Sequence, residues 1–514
     1  MPPITPPLSF NPAGIELDRR QGLTRQLYEA LRQRVLDGRL VSGTRLPASR
    51  DLAAALSISR NSVVRAYDQL YAEGFTESRV GDGTYVAQLP TAKKLSTKPS
   101  TGLSTGLSPA LSTKWANLPE DLDNEVIHSG GLARIKTNHL SLPPAGPPRA
   151  FRVGVPAFDL FPFDVWAKLN GAFWRNPDLE LLCYGDPAGD ARLRGLIAAY
   201  LRSSRGMQCT AEQIVITSGA QQAISLCAQL LVEPGDGVAV ENPGYRAAGH
   251  AFALAGGKLH GVPVDGEGID CQVLNTLRDC RVAYVTPSHQ YPLGVVMSLA
   301  RRLELLAWAE RTGGWIIEDD YDGEYRYSGA PLSPLAALDR SGRVLYVGTF
   351  GKVAFPALRL GYLVLPAGLV DAFSRRRAVD MRHSEVSTQA VMAEFMAAGH
   401  FQRHIRRMRR AALSRRNAML AGWPAGLPGM GELPSVAAGL HMTVRVGSLA
   451  REQQLLEQAH AVDVEINGLS SYWLAESTTP ADQRAGLVLG FAAVPEAGIA
   501  LALARLRKAW GCVN

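Results

Sequence analysis

The stretch Leu345–Val364, LYVGTFGKVAFPALRLGYLV, contains either an ordinary loop or a site that uses the amine of a lysine for chemistry. An apolar run ends at Gly348 and Gly351 around a single lysine, Lys352, and Arg359 follows seven positions later. A lysine that attacks an aldehyde must be neutral, which requires burial or nearby positive charge. The end of an apolar strand can supply burial, and Arg359 could share an anionic ligand. Because the pattern also fits an ordinary loop lysine, other residues must decide whether Lys352 has a chemical role.

Five apolar runs in the same part of the chain alternate with helical segments. They read QIVITSG, GVAVEN, RVAYVTPS, GWIIEDD and RVLYVGT. This alternation predicts an α/β domain with a mainly parallel sheet. Ligands bind such sheets at the carboxyl ends of the strands, where most of these runs end in small or polar residues.

The segment IIEDDYDGEY places Asp319 and Tyr321 two positions apart, on one side of an extended chain. A carboxylate and a phenol are what pyridoxal phosphate needs, one for its ring nitrogen and one for its ring oxygen. The same acidic segment could instead bind a metal or face solvent.

Two further turns fit a phosphorylated ring. In ITSGAQQAI a strand ends at Ser218, Gly219 and Ala220 and a helix begins, so free N–H groups could meet a phosphate. In VENPGYRAA, Tyr245 follows a Pro-Gly turn and could stack on a flat ring, although packing alone would also explain it.

The amino-terminal segment has a different organisation. LTRQLYEALRQRVLDGRL predicts a helix that stops near Gly38, and SRDLAAAL predicts a short helix that begins with the capping-type Ser49. SRNSVVRAYDQLYAEG predicts a third helix from Ser59 to Gly74. FTESRVGDGTYVA then predicts two short strands around a Gly-Asp-Gly turn. This order of elements is that of a winged helix-turn-helix.

The third helix presents polar residues where recognition helices contact DNA. Arg60, Asn61, Ser62 and Arg65 lie on its first turns, away from its apolar side. Net charge does not decide whether this segment binds DNA, because residues 1–90 contain 11 arginines against 9 acidic residues. A protein-interaction or dimerisation domain with solvated arginines is the alternative.

A resemblance to a known family favours DNA binding over the protein-interaction alternative. The segment GTRLPASRDLAAALSISRNSVVRAYDQLYAEGFTESRVGDGTYVA resembles the winged-helix domain of the GntR regulators. The resemblance implies that Arg50, Arg60 and Arg65 contact double-stranded DNA. It also implies that the wing around Gly81 and Gly83 lies against the backbone or the minor groove.

The carboxy-terminal part resembles the fold-type I aminotransferases through YGDPAGDARLR, TSGAQQAI, ENPGY, TPSHQYPLG, IEDDYDGEY and GTFGKVAFPALRLGY. With the first domain, the chain resembles the MocR subfamily of GntR regulators. This implies an α/β fold with an amino-terminal winged helix-turn-helix and a body of aminotransferase fold type I. The body would consist of a large domain with a mainly parallel sheet and a smaller α+β domain. We expect the first domain at residues 15–89, a flexible Ser-, Thr- and Pro-rich linker at 90–148, and the body at 149–514.

The resemblance also implies roles at a pyridoxal 5'-phosphate site. Lys352 would form the Schiff base, Asp319 would pair with the pyridine nitrogen, Tyr321 would bond the ring hydroxyl, and Tyr245 would stack on the ring. The residues implied at the phosphate are Ser218, Gly219, Ala220, Gln221, Thr349 and Arg359, with Tyr184 reaching the phosphate of the partner subunit in a homodimer.

Three departures from the aminotransferases bear on function. Tyr291 stands where those enzymes carry an asparagine near the ring hydroxyl, and Gly351 stands where related regulators commonly have serine. The segment GLVLGF, 486–491, lacks the arginine that binds a substrate carboxylate, although Arg484 or Arg246 could replace it. We therefore expect a regulator that binds pyridoxal phosphate as effector, with an amino compound as a candidate second effector. The alternatives are a working aminotransferase with an accessory DNA-binding domain, or a DNA-binding protein whose body has lost the cofactor.

Composition excludes several other classes. No apolar run approaches the roughly 20 residues that cross a bilayer, and the amino terminus does not resemble a secretion signal, so we expect a cytoplasmic protein without membrane contact. The six cysteines lack CxxC spacing, which favours reduced thiols over disulfides or a metal site.

Overall fold

The computed structural model describes residues 10, 12, 14–19, 22–79, 83–88, 146–327, 332–424, 427–474 and 477–511. Gly81, Cys512 and all but the last residues of the predicted linker lie outside these ranges. The boundaries proposed for the two domains and the linker therefore stay predictions.

The amino-terminal domain is a three-helix unit with a two-stranded wing. Its elements are α1 (Leu23–Leu36), α2 (Ser49–Ala55), α3 (Arg60–Ala72), β1 (Thr76–Arg79) and β2 (Gly83–Val86). The strands pair antiparallel, with Thr76 opposite Val86. The predicted winged helix-turn-helix is confirmed. Ser59 caps α3, since its side chain accepts a hydrogen bond from the Ser62 N–H at 3.1 Å.

One predicted cap is wrong. Ser49 is the first residue within α2, and Ala48 occupies the capping position without a side-chain hydrogen bond. Arg60 Nε donates to the Ser49 hydroxyl at 3.3 Å, so this side chain contacts the start of α3 and does not close α2.

The body alternates helices and strands, as its apolar runs predict. Its helices are α4 (Phe163–Arg175), α5 (Ala191–Arg205), α6 (Ala220–Leu231), α7 (Arg246–Leu254), α8 (Cys271–Thr276), α9 (Leu299–Thr312), α10 (Leu335–Leu338), α11 (Val370–Met381), α12 (Val386–Ala397), α13 (His400–Gly422), α14 (Leu449–Ala461) and α15 (Glu496–Ala509). Its strands are β3 (Ile214–Thr217), β4 (Gly237–Asn242), β5 (Lys258–Asp265), β6 (Gly268–Ile269), β7 (Cys280–Val285), β8 (Trp315–Asp320), β9 (Val344–Thr349), β10 (Gly361–Val364), β11 (His441–Arg445), β12 (Asn467–Gly468) and β13 (Gly486–Gly490).

In the described residues, the large sheet has the order β3-β10-β9-β8-β7-β4-β5-β6. The pairs from β9 through β8, β7 and β4 to β5 are all parallel, while β10 and the edge strand β6 run antiparallel to their neighbours. The five predicted strands and the mainly parallel sheet are confirmed. The strand β10, at the end of the opening stretch, lies between β3 and β9, and its reversed direction keeps β3 parallel to β9. The carboxyl ends of β3, β9, β8 and β7 therefore meet at one edge.

A smaller sheet with the order β11-β13-β12 forms the core of the α+β domain. The long helix α13 and the last helix α15 pack against each other in the same domain, and Leu487 and Leu489 of β13 are fully buried. This arrangement confirms the predicted smaller domain. It places β11 and β13 beside the carboxyl edge of the large sheet.

The amino-terminal domain packs on the body through α9 and α10. Leu299 and Leu338 are buried in the same hydrophobic cluster as the core of the amino-terminal domain. Polar contacts surround them, because Arg32 donates to the Ala337 carbonyl at 3.0 Å and Arg340 pairs with Asp37 at 2.8 Å. The two predicted domains are therefore in direct contact in this chain.

Among the described helices, none combines the length and the apolar character that a membrane crossing requires. The described cysteines are free thiols, of which Cys183 is exposed and the remainder are buried.

Candidate cofactor site and nucleic-acid interface

A cavity of about 200 Å³ lies where the carboxyl ends of the large sheet meet the smaller domain. Most of the predicted cofactor residues line it: Gly219, Ala220, Gln221, Tyr245, Tyr291, Asp319, Tyr321, Thr349, Lys352 and Arg359. Of the other predictions, Ser218 lies just outside the lining, and Tyr184 is 87% exposed, away from the cavity. The structure thus brings together side chains from positions more than 130 residues apart.

Lys352 follows β9 and its amine faces the cavity. Lys352 Nζ donates a hydrogen bond to the Gly154 carbonyl at 2.8 Å, and the Lys352 carbonyl accepts one from the Tyr325 hydroxyl at 2.7 Å. Burial lowers the pKa of this amine below its ordinary value, while the carboxylates of Asp322 and Asp319 act in the opposite direction. The neutral, nucleophilic form of Lys352 is therefore more accessible than that of a surface lysine.

Gly154 allows the lysine to approach. Its φ is +75°, and a Cβ at this position would lie 2.8 Å from Lys352 Nζ. A side chain here would both strain the backbone and displace the amine. Residue 154 therefore belongs to the site, although the sequence analysis did not select it.

Asp319, the penultimate residue of β8, has a carboxylate of which only one oxygen has a hydrogen-bond partner among the described residues. Its Oδ2 accepts a hydrogen bond from the Tyr284 hydroxyl at 2.6 Å, whereas Oδ1 is buried without a partner among the described residues. Burial raises the pKa of this carboxyl to about 6, despite the Tyr284 hydrogen bond. A buried acceptor of this kind fits a positively charged N–H donor, such as a protonated pyridine nitrogen. The residues present therefore fit a pyridinium ring.

Tyr321 lies in a buried hydrogen-bond network behind the cavity. Its hydroxyl donates to the His289 carbonyl at 2.8 Å and lies 3.1 Å from His289 Nδ1. His289 Nδ1 is also 3.0 Å from the Asp322 carboxylate. These contacts fix the phenol at the wall of the cavity, where it can meet a ring hydroxyl.

Tyr245 and Gln221 form a second wall. The Tyr245 hydroxyl donates to Gln221 Oε1 at 3.1 Å, and Gln221 Nε2 donates to the Ala247 carbonyl at 3.0 Å. The Tyr245 ring is 37% exposed and borders the cavity, so a face remains available for a flat ligand.

The other end of the cavity suits an anion. Helix α6 begins at Ala220 after Gly219, whose φ of +87° turns the chain so that the first N–H groups of the helix are available. Arg359 Nη2 donates to the Ser218 carbonyl at 2.6 Å, which holds the guanidinium beside this turn. Thr349 Oγ1 accepts from the Gly351 N–H at 3.1 Å. A helix amino terminus, a guanidinium and a hydroxyl are together the donors that a phosphate requires.

Sequence reasoning missed several residues of this site. Tyr284, which bonds Asp319, and His441 of β11 both line the cavity. The motif TPSHQYPLG contains His289, but its contact with Tyr321 depends on two segments that meet only in the folded chain. For Gly154, the nearby Pro156 signals a turn, yet it carries no information about a lysine 198 positions away.

The recognition helix presents its predicted DNA residues to solvent. Arg60, Asn61 and Arg65 are exposed and Ser62 is half-buried on α3, while Val63 and Ala66 on its other side are fully buried. Arg50 of α2 and Gly83 at the start of β2 are also exposed. Arg45 is also exposed, and its backbone bridges to Tyr85 of the wing.

Comparison with known families divides the chain in the same way. Residues 23–86 match "Bacterial regulatory proteins, gntR family", and residues 151–468 match "Aminotransferase class I and II".

Two regulators are similar to this chain over nearly its whole length, and solved aminotransferases are similar to most of it. The chain is 35% identical over 496 residues to the probable rhizopine catabolism regulatory protein MocR of Rhizobium meliloti, covering 96% of this chain and 95% of that protein. It is 31% identical over 504 residues to the pyridoxine biosynthesis transcriptional regulator PdxR of Corynebacterium glutamicum, covering 98% of each chain. Among solved structures, the kynurenine aminotransferase of Pyrococcus horikoshii, in complex with PMP, matches with a TM-score of 0.66 and 28% identity, over 76% of this chain and 98% of that one.

Proposed function

Because this chain belongs to the MocR subfamily of GntR regulators, DNA-binding transcriptional regulators with an aminotransferase-like domain, we propose that its cavity binds pyridoxal 5'-phosphate and, through it, an amino compound as effector. One observation carries the proposal. The amine of Lys352 and the unpartnered Oδ1 of Asp319 face the same cavity, whose other end is the start of α6 beside Arg359.

Each predicted side chain then has a task that its surroundings support. Lys352 holds the cofactor covalently, Asp319 accepts from the ring nitrogen, Tyr321 bonds the ring hydroxyl, and Tyr245 covers the ring face. The phosphate residues are Gly219, Ala220, Gln221, Thr349 and Arg359, with the Ser218 carbonyl orienting the guanidinium. When bound, the cofactor supplies an aldehyde carbon that exchanges one amine for another.

We further propose a homodimer in which Tyr184 reaches the phosphate of the partner subunit. Its ring is exposed and borders His383 at 6.0 Å between centroids, outside the cavity of its own chain. A tyrosine that serves a neighbouring site is expected to be exposed in an isolated subunit.

The contact between the two domains provides a physical route from cofactor to DNA. Glu318 precedes Asp319 on β8, and its carboxylate accepts hydrogen bonds from the Leu335 and Ala336 N–H groups at 2.8 and 2.9 Å. Those residues begin α10, whose Ala337 carbonyl accepts from Arg32 of the DNA-binding domain. A change at Asp319 can therefore reach α1 through the neighbouring Glu318 and the short helix α10.

Arg302 of α9 connects the same contact to the other wall of the cavity. Its guanidinium donates to the Pro287 carbonyl and to the Ser333 carbonyl, each at 2.9 Å. Pro287 lies in the loop that leads to Tyr291 at the cavity. The Ser333 hydroxyl donates to the Glu73 carboxylate at 3.1 Å, at the carboxyl end of α3. Linkage requires only that the effector have different affinity for two arrangements of this contact.

The test uses the full-length protein and the intergenic DNA upstream of its gene. With pyridoxal phosphate we expect the near-visible absorbance of a lysine-bound cofactor, and operator affinity that differs from that of the cofactor-free protein. Unchanged affinity in the presence of bound cofactor would contradict the regulatory proposal. The likeness to solved aminotransferases supports one rival, a working transaminase, which predicts sustained turnover with an amino donor and a keto acid at rates typical of dedicated enzymes.

A further inference from the structure

The part of the cavity away from Arg359 is built for neutral polar groups, and we propose that the effector is a primary amine on an uncharged, hydroxyl-bearing skeleton and not an amino acid. This inference rests on the proposed function, because it concerns the amine that would exchange with Lys352. Among the described residues that line the cavity, Arg359 is the one arginine, and it lies at the phosphate end.

Among the described residues, the wall that would face a carboxylate carries no cation. The resemblance to aminotransferases implies an arginine for that group in this stretch, whereas β13 reads GLVLG. Val488 of β13 is fully buried in a small cluster with Leu469 and Tyr472, against which Val153 and Tyr291 pack. A carboxylate placed beside this cluster would lose water without gaining a cation, which is unfavourable.

Arginines nearby have other partners. Arg246 donates to the Ser471 carbonyl at 3.1 Å, and Arg484 donates through Nε to the Thr479 carbonyl at 2.7 Å. Arg152 pairs with Glu465 at 2.7 Å. None of these side chains lines the cavity, so the two replacements considered for the missing arginine are not in position in this structure.

His441 borders the same space as a neutral acceptor. Its Nε2 lies 3.0 Å from the Pro292 carbonyl, which can only accept, so Nε2 carries the proton and Nδ1 keeps a lone pair. Burial, with His289 close by, lowers the pKa of this imidazole well below its ordinary value. A neutral ring of this tautomer accepts a hydrogen bond from a hydroxyl and cannot form an ion pair with a carboxylate.

Tyr291 adds a hydroxyl at this wall. Its OH lies 3.0 Å from the OH of Tyr472, and its ring contacts His441 with 5.3 Å between centroids. The Tyr291 hydroxyl can donate to or accept from an alcohol group, and His441 Nδ1 can accept from one. The lining therefore matches an amino alcohol or amino polyol better than an anion.

Exchange of amines needs no oxidant. In this exchange Lys352 Nζ would give up its bond to the cofactor carbon and take up the two protons that the effector nitrogen loses as it forms the same bond. An amine is thus required of the ligand, and a carboxylate is not.

The experiment titrates full-length, cofactor-loaded protein with matched pairs that differ only at one carbon, alaninol against alanine and serinol against serine. The change in absorbance of the lysine-bound cofactor reports exchange. We expect the amino alcohol of each pair to bind at least tenfold more tightly. Equal or tighter binding of the amino acids overturns the inference, as does an absence of exchange with every compound. If the protein shows no Lys352-dependent absorbance before any amine is added, the proposed function itself has failed.

A variant tests the wall directly. Val488→Arg restores the cation and should shift preference toward the amino acid of each pair by about tenfold, whereas Val488→Leu should leave the preference unchanged. An unchanged preference in folded Val488→Arg protein overturns the inference. Because a buried arginine can prevent folding, Tyr291→Phe provides a second variant, which should weaken the amino alcohols by about threefold to tenfold and the amino acids less. Equal weakening of both members of each pair would contradict the assignment of Tyr291.

Discussion

The cofactor cavity and the recognition helix both depend on cationic side chains but place them in opposite environments. Lys352 is half-buried with a fixed carbonyl partner at 2.8 Å, next to a carboxyl whose pKa is raised. Arg60 and Arg65 are exposed on α3. Burial gives the cavity residues their chemistry before any ligand arrives, at a cost in stability. The surface arginines would acquire their predicted role only when DNA phosphates and bases are present. Substitutions in the two regions should therefore affect different measurements.

The largest effect is expected from Lys352→Ala, which removes the amine. We expect complete loss of the lysine-bound cofactor absorbance, because no other lysine lines the described cavity. The spectrum of the dialysed, cofactor-treated variant measures this. Operator binding by cofactor-free protein should persist, and Lys258→Ala, at an exposed lysine of β5, serves as the control. Retention of the band in Lys352→Ala would mean that another group attaches the cofactor.

Asp319→Asn should separate function from stability within the cavity. A folded pKa raised above the unfolded value means that the contribution of Asp319 to stability is fully present below about pH 4 and is lost as pH rises through about 6. The asparagine variant lacks this loss and can still accept from Tyr284. Relative to wild type, its free energy of unfolding without cofactor should therefore increase between pH 4 and pH 7, by up to about 3 kcal/mol.

Denaturant titrations of both proteins at several pH values measure this difference. The same variant should bind the cofactor more weakly, because a neutral amide is a poorer partner for a protonated ring nitrogen. A difference in stability that stays constant with pH would show that Asp319 does not titrate as proposed.

Arg60→Ala and Arg65→Ala should show the opposite behaviour. Each is expected to weaken operator binding by about 1–3 kcal/mol if it contacts a base, or to lower the salt dependence by about one counterion if it contacts a phosphate. Stability should change by no more than about 0.5 kcal/mol, since both side chains are exposed. Affinity measured at several salt concentrations distinguishes the two contacts, with Arg375→Ala on the body as the control. Unchanged operator affinity in both variants would leave α3 without a DNA role.

The smallest effect is expected at the contact that joins the two regions. The Tyr28 hydroxyl donates to Glu73 at 2.6 Å and lies 3.1 Å from the Ser333 hydroxyl of the body. Tyr28→Phe should reduce the change in DNA affinity caused by the cofactor by about 1 kcal/mol, the value of one hydrogen bond. Binding isotherms with and without cofactor measure it, and Tyr71→Phe, at an exposed tyrosine of α3, is the matched control. A cofactor effect of the same size in Tyr28→Phe and wild type would mean that this contact does not transmit the signal.

The sequence predicts those parts of the site that end strands. Lys352, Asp319 and the turn at Gly219 each follow an apolar run, and a parallel sheet brings such ends to one edge, so their convergence follows from topology. The winged helix-turn-helix is similarly local, since Ser59 caps α3 and β1 pairs with β2 within a short segment.

The remainder depends on contacts that no local pattern contains. Gly154 and Lys352 meet across 198 positions, and Tyr284 meets Asp319 across two neighbouring strands of the sheet. Ser49 shows the opposite error, because a serine before a helical pattern suggests a cap, yet the helix begins at Ser49 itself. Long-range packing brings the first two pairs together, whereas the Ser49 side chain contacts Arg60 at the start of α3.

Consecutive residues of β8 face opposite sides of the sheet, so Asp319 faces the cavity while Glu318 holds the start of α10. Under the proposed function, recognition and output would thus belong to separate side chains of one dipeptide. A biosensor could be engineered by redesigning the lining at Tyr291 and His441, and Val488 behind it, for a new amine while Glu318 and the contact beneath it stay intact. If the proposed regulation holds, operator binding would then report a compound of the designer's choice.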